Sequence, residues 1–192
     1  MTADRLRQLT ELATPGAAIG LLGGLATAGM ALIAGQSGGW ALAAGLGLGL
    51  PLALAGAGYG LLQARGVLSP GVFAPAALFW LVAFPIARLL HEVLAGLLLA
   101  GRPALPPDVL GFLVYQAIVS LGFAIGFSWL HERIAPYWLR RIRHRNPAAD
   151  RLYGFYLRHA EAQYRARESR RRTRATARAT GRPALFRTGP KE

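Results

Sequence analysis

The sequence predicts an all-α membrane protein with four transmembrane helices in two antiparallel hairpins, followed by an Arg-rich cytoplasmic tail that contains an amphipathic helix. The first observation is composition, because 53% of the 192 residues are hydrophobic and only 16% are charged, which is typical of a membrane protein. The second is the division of charge. Residues 1–132 contain five Arg and five acidic residues, whereas residues 133–192 contain 17 basic and four acidic residues, so the whole net charge of +13 lies in the second part.

Four long apolar segments define the predicted spans. A hydrocarbon core about 30 Å thick requires roughly 20 apolar helical residues to cross it. Segments of that length, predominantly apolar, are 15–34, 40–62, 72–100 and 109–130. The links between them are short and rich in Gly and Pro, which predicts that successive helices run antiparallel. A cleaved secretory signal ending near Ala26-Thr27-Ala28 is the competing interpretation, and it is disfavoured because the apolar segment continues beyond that triplet.

The distribution of arginine across the links predicts the orientation. Arg5 and Arg7 precede the first span and Arg65 lies in the second link, whereas the first link has no basic residue and the third has only Arg102. Basic residues are retained on the cytoplasmic side. We therefore expect a multi-pass protein of the inner (plasma) membrane with both termini cytoplasmic. The 21 Arg against one Lys, with abundant Gly and Ala, indicate GC-rich coding in a bacterium.

This pattern predicts four consecutive regions. Residues 1–14 form a cytoplasmic N-terminal segment, and residues 15–134 form the transmembrane domain. Residues 135–164 form a basic and aromatic juxtamembrane segment with an interfacial helix, in which apolar side chains recur at spacings of three, four and seven. Residues 165–192 are predicted to be an Arg-rich, flexible tail.

Small residues recur at intervals of four on the first two spans and as a pair on the fourth. Such spacing places them on one helix face, where they allow two helices to approach closely in lipid. The predicted packing residues are Gly16, Gly20, Gly24, Gly45, Gly49, Gly122 and Gly126. Helix packing is the favoured interpretation for the first two spans, and a glycine zipper that lines or gates a pore is the alternative.

The third span contains Arg88, His91 and Glu92, which stand at positions i, i+3 and i+4 and therefore share one face. Counting residues away from the short third link matches their depth to polar residues of the fourth span. We therefore expect one polar cluster between these two helices in the outer half of the membrane. Its members are Arg88, His91, Glu92, Tyr115, Gln116 and Ser120.

Three interpretations of this cluster remain open. The first is a structural ion pair between Arg88 and Glu92, and the second is a titrating site that handles a proton or an ion. The third is a site at which Arg88 binds an anionic head group or solute. The sequence contains no Cys and no metal-binding or nucleotide-binding motif. It therefore predicts no metal and no cofactor, and it favours a protein that is not an enzyme.

The basic residues after the fourth span are predicted to dock on lipid or on a partner. The residues that we assign to this role are Arg140, Arg141, Arg143, Arg145, Arg170, Arg171 and Arg172. Anionic membrane lipid is the first candidate, since the attraction needs no specific geometry. Other membrane protein subunits come second. Nucleic acid is the weakest candidate, because no recognised nucleic-acid-binding motif accompanies the arginines.

The sequence leads to two hypotheses for function. The first is a noncatalytic accessory or scaffold subunit of a larger membrane assembly, with the basic tail docked on anionic lipid or a partner. The alternative is a component of a transporter or channel that handles a proton, an ion or a small anionic solute through Arg88, His91 and Glu92.

Overall fold

The computed structural model describes residues 2–179, and every regular element in that range is an α-helix. The helices are α1 (Ala3–Ile33), α2 (Gly38–Ala64), α3 (Phe73–Ala100), α4 (Val109–Ile142) and α5 (Pro147–Ala179). The first four are long and apolar enough to cross a membrane. The prediction of an all-helical membrane protein is therefore confirmed at this level.

The first and the fourth helix, α1 and α4, are longer than the apolar segments that predict them. Helix α1 starts at Ala3, twelve residues before position 15, and α4 ends at Ile142, twelve residues after position 130. At 1.5 Å per residue, their 31 and 34 residues extend about 46 and 51 Å. Both exceed the hydrocarbon thickness of about 30 Å. Their polar ends therefore continue as helix beyond the apolar layer.

Helices α1 and α2 pack backbone to backbone through glycine. A Cβ placed on Gly16 would overlap the carbonyl oxygen of Gly56, and one placed on Gly60 would lie 2.7 Å from the carbonyl oxygen of Leu12. Gly24 lies against Gly49 in the same way. The contacting positions rise along α1 as they fall along α2. Glycine is required at these points because any side chain would push the two helices apart.

An aromatic core joins α2, α3 and α4. Tyr59 of α2 meets Phe79 of α3 and Phe127 of α4 edge to face, with ring centroids 5.5 and 5.1 Å apart. Trp80, which is completely buried, lies 4.7 Å from Phe123 and 4.5 Å from Phe127. Aromatic rings pack favourably in these geometries and bury large areas. This core fixes the three helices relative to one another near the end of the bundle at which α3 begins.

Helix α5 belongs partly to a second compact unit, which begins at Gly154. Within that unit the side chains described up to residue 176 are mostly exposed, and Glu161–Arg165 and Glu168–Arg172 form ion pairs at spacing i, i+4. Such pairs and the Ala and Arg content favour helix. Residues 165–179 are helical, and the expectation that residues 165–192 form an Arg-rich, flexible tail stays a prediction. The remainder of that predicted tail, 180–192, lies outside the described residues.

Candidate functional site

The charged residues of α3 bind each other. Arg88 Nη2 donates a hydrogen bond to Glu92 Oε1 at 2.8 Å, and the two side chains are 22% and 34% exposed. The Arg88 guanidinium also lies over the ring of Phe112 on α4, 5.9 Å from its centroid. A carboxylate and a guanidinium in contact neutralise each other and need less solvation than either alone. Arg88 and Glu92 therefore neutralise each other's charge beside α4.

His91, which lies on α3 between Arg88 and Glu92, contacts a different helix. A Cβ added to Gly47 of α2 would lie 3.1 Å from His91 Nδ1. The imidazole therefore occupies a notch that only glycine leaves open at position 47. His91 is consequently packed toward α2, while Arg88 reaches toward α4.

The fourth-helix residues of the predicted polar cluster are also divided. Gln116 and Ser120 are buried, and the Ser120 hydroxyl donates to the carbonyl oxygen of Ala117 at 2.6 Å. Tyr115 is 63% exposed and lies on the surface of α4. The structure thus brings Arg88 and Glu92 together, buries Gln116 and Ser120, and leaves Tyr115 outside. That these residues act as one functional cluster stays a prediction.

The glycines assigned to helix packing fall into two groups. A Cβ added to any of the five in α1 and α2 would come within 3.2 Å or less of an atom of the neighbouring helix. These five are Gly16, Gly20, Gly24, Gly45 and Gly49. A Cβ added to Gly122 or Gly126 of α4 would meet no atom within 4 Å. Within the described chain, therefore, nothing packs into the notch that these two glycines form.

A polar cluster that the sequence does not reveal joins the start of α1 to the end of α4. The buried Glu11 carboxylate accepts from Arg145 at 2.9 Å, Asn146 at 3.2 Å and Arg7 at 3.4 Å. The indole nitrogen of Trp138 donates to the backbone carbonyl of Glu11 at 2.7 Å. Arg7 and Glu11 are one helical turn apart, whereas Trp138 and Asn146 lie 127 and 135 positions from Glu11. No local spacing could have indicated these long-range contacts.

The arginines assigned to docking also divide. Arg145 pairs with Glu11, and Arg143 pairs with Asp150 at 3.5 Å. Arg172 pairs with Glu168. The remaining four are exposed: Arg140, Arg141, Arg170 and Arg171. The assignment of all seven to lipid or partner docking stays a prediction, and in the structure three of them also bind acidic groups of the same chain.

A cavity of about 360 Å³ lies where α3 begins, between α3 and α4. Its wall includes Tyr59, Phe73, Ile125, Ser128, Trp129 and Glu132. Glu132 Oε1 accepts a hydrogen bond from the backbone N–H of Gly71 at 3.1 Å. The buried Ser128 Oγ has no hydrogen-bond partner within residues 2–179. The cavity thus combines aromatic and aliphatic walls with one carboxylate and one unsatisfied hydroxyl.

The sequence does not indicate this cavity either. Its residues come from three helices, and the His131-Glu132 doublet carries no signal beyond that of a membrane boundary. His131 itself is buried in the aromatic core, with its ring centroid 5.1 Å from Tyr59 and 5.5 Å from Phe127. It is therefore a packing residue that adjoins the cavity.

Four apolar helices of spanning length make this chain a multi-pass membrane protein. No protein-family model matches the chain, and neither a curated protein nor a solved structure shows detectable similarity to it. Among residues 2–179, no three His, Cys, Asp or Glu side chains lie together in a way that could hold a metal ion.

Proposed function

We propose that this protein is a noncatalytic accessory or scaffold subunit of a larger membrane assembly, and that α4 carries the surface on which a neighbouring subunit packs. The apolar 18-residue stretch of α4 is the least buried of the four such stretches. Only 17% of it is buried within the chain, against 44% for the stretch in α2. Most of this stretch is therefore available to lipid or to another transmembrane helix.

The observation that carries this proposal is the open notch at Gly122 and Gly126. Because contact with another helix has little hydrophobic advantage over contact with lipid, helices associate in membranes where small residues permit close approach. Small residues have this role between α1 and α2, where atoms of the facing helix occupy the space beside the glycines. The space beside Gly122 and Gly126 of α4 is not occupied by any described part of the chain. A helix from another subunit would fit there without displacing any part of the chain.

The state of the charged pair in α3 favours a scaffold over a transporter. A group that carries a proton or an ion must exchange its partner during the cycle. Arg88 and Glu92 instead bind each other at 2.8 Å, on the same helix and one turn apart. The pair has the form of a structural element that neutralises its own charge.

We further propose the arrangement in the membrane. The contacts between α1 and α2 support antiparallel packing, in line with two hairpins, and the bond from Trp138 to Glu11 supports placing the start of α1 and the end of α4 on one side. That side is cytoplasmic by the arginine distribution, in a bacterial inner membrane. The exposed arginines after α4 would attract anionic lipid, each contributing about 1 kcal/mol near the surface.

The test is the size of the complex after substitution of the notch. The wild-type protein, extracted from its own membrane in mild detergent, should migrate on a native gel well above its 20.5 kDa chain mass. Replacing both Gly122 and Gly126 by Leu should reduce it to the single chain, because the added side chains occupy the partner's space. Gly29 and Gly58 also face open space and provide the control when replaced by Leu.

Two results would contradict the proposal. One is a wild-type protein that migrates as a single chain after allowance for detergent. The other is a complex of unchanged size in the double variant. Coexpression of two differently tagged copies distinguishes assembly with itself from assembly with other subunits, since only the first yields both tags in one complex.

A further inference from the structure

The cavity between α3 and α4 extends from the membrane surface into the hydrocarbon. Glu132 lies two residues beyond the predicted end of the fourth span at position 130, and Ile125 lies seven residues deeper in α4. At 1.5 Å per residue this is about 10 Å along the helix. Ile125, Trp129 and Phe73 are all exposed on the outside of the described helices. The cavity therefore opens sideways, toward lipid.

We propose that this cavity binds the primary ammonium head group of a phospholipid of the surrounding membrane. This inference is independent of the proposed scaffold function, because it concerns neither the notch on α4 nor any partner subunit. Three features of the cavity carry it: the fixed carboxylate, the unsatisfied hydroxyl and the aromatic walls.

The carboxylate of Glu132 is held in place at the polar end of the cavity. Its Oε1 accepts from the Gly71 backbone N–H at 3.1 Å, at the start of α3. A carboxylate that lines an otherwise apolar wall favours a cation and repels an anion. The aromatic ring of Phe73 in the same wall also attracts a cation.

The hydroxyl of Ser128 is an independent indication of a missing hydrogen-bond partner. A serine inside a helix usually bonds to the carbonyl of the preceding turn or faces water. Ser128 Oγ is buried, lines the cavity and has no partner in the described part of the chain. A buried polar atom without a partner is unfavourable. A primary ammonium has three N–H donors and can donate to both the hydroxyl oxygen of Ser128 and the carboxylate of Glu132.

A cation beside the cavity completes the match to a phospholipid. The guanidinium of Arg133 lies 4.4 Å above the ring of Trp129. Because Trp129 lines the cavity, this guanidinium lies next to the cavity wall. An aminophospholipid head group carries an ammonium next to a phosphate, and Arg binds phosphate well. The acyl chains would continue along the exposed face of Ile125.

The experiment uses the full-length protein in detergent and native mass spectrometry. Phosphatidylethanolamine, phosphatidylcholine and phosphatidylglycerol with identical acyl chains are added in equal amounts. One phosphatidylethanolamine should be retained about tenfold more than phosphatidylcholine, because the trimethylammonium group has no N–H donor; tenfold is the effect of one charge-assisted hydrogen bond. Phosphatidylglycerol, which has no amine, should be retained no better than phosphatidylcholine.

Substitutions assign the preference to the cavity. Glu132→Gln keeps an oxygen that can accept from Gly71, and it should reduce the preference for phosphatidylethanolamine to about twofold or less. Ser128→Ala tests the site without touching a charge, and it should also weaken the preference. Glu92→Gln alters the carboxylate of the α3 ion pair and should leave the preference unchanged.

Several outcomes would overturn the inference. Equal retention of phosphatidylethanolamine and phosphatidylcholine by the wild type is one. Persistence of the preference in both Glu132→Gln and Ser128→Ala is another, and so is its loss in Glu92→Gln. Displacement of the lipid by soluble phosphoethanolamine at equal concentration would assign the cavity to a soluble amine instead of a membrane lipid.

Discussion

At the scale of single residues, Asn146 connects three parts of the chain. Its side-chain nitrogen donates to the carbonyl oxygen of Gln8 at 3.0 Å and to Glu11 Oε2 at 3.2 Å, while its oxygen accepts from the backbone N–H of Ala149 at 3.3 Å. The last bond caps the start of α5. One completely buried amide thus holds α1, the link after α4 and the first turn of α5 together.

Replacing Asn146 by Ala should lower the free energy of unfolding by about 2–3 kcal/mol, because it leaves buried partners without hydrogen bonds and removes a helix cap. The measurement is unfolding in mixed micelles at increasing denaturing detergent. Gln36→Ala, at an exposed amide in the first link, is the control and should change stability by less than about 0.5 kcal/mol. Equal effects of the two substitutions would mean that the Asn146 contacts contribute nothing.

The ion pair in α3 gives a second prediction at this scale. Glu92→Ala should destabilise the protein by about 1–2 kcal/mol, since it leaves the partly buried Arg88 without its counter-charge. Arg102→Ala, in the exposed third link, should have almost no effect. The double variant Arg88→Leu and Glu92→Leu should be more stable than Glu92→Ala alone, because no single charge remains. A Glu92→Ala protein as stable as the Arg102→Ala protein would rule out the structural role.

These two sites differ in how far the sequence could reveal them. Arg88 and Glu92 are four positions apart on one helix, so their contact follows from helical geometry alone. Glu11 and Asn146 are 135 positions apart, and their contact depends on how four helices meet. The cavity at Ser128 and Glu132 is likewise assembled from separate helices. Residue spacing within one helix carries no information about such sites.

At the scale of elements, apolar length predicts where a helix crosses the membrane better than where it ends. Helices α2 and α3 begin and end within two residues of the apolar segments 40–62 and 72–100. Helices α1 and α4 each continue twelve residues further, because their polar turns bind each other outside the apolar layer, as the bond from Trp138 to Glu11 shows. The length of an apolar segment indicates the part of a helix that lies in lipid, and it does not predict contacts that the helix makes in water.

Glycine packing between α1 and α2 gives the prediction at this scale. Gly16→Ala should destabilise the protein by about 1–3 kcal/mol, because its Cβ would overlap the carbonyl of Gly56 on the facing helix. Gly29→Ala is the same change on the same helix in open space, and it should stabilise α1 by up to about 1 kcal/mol. Thermal unfolding in detergent measures both. Shifts of the same sign and size would show that the close approach does not limit stability.

At the scale of the whole molecule, helix contacts and basic residues occur at the same end of the helices. The start of α1 and the end of α4 lie together, since Asn146 binds Gln8 and Arg145 binds Glu11. The same end carries the arginines that follow α4, whereas the first link contains no basic residue. A membrane protein retains basic residues in the cytoplasm. The contacts show that these two ends lie together, and the arginine distribution predicts that they face the cytoplasm.

Reporter fusions test this orientation directly. Fusions after Ser37 in the first link and after Pro106 in the third should report an extracytoplasmic location, and a fusion after Leu68 in the second link should report a cytoplasmic one. The expectation follows from the alternation of four spans that start on the arginine-rich side. Replacing Arg5, Arg7 and Arg65 together by Gln should leave this result unchanged, because the 17 basic residues after position 132 still hold that end of the bundle in the cytoplasm. A cytoplasmic signal after both Ser37 and Pro106 would contradict the topology and would place the cavity at Glu132 in the opposite leaflet.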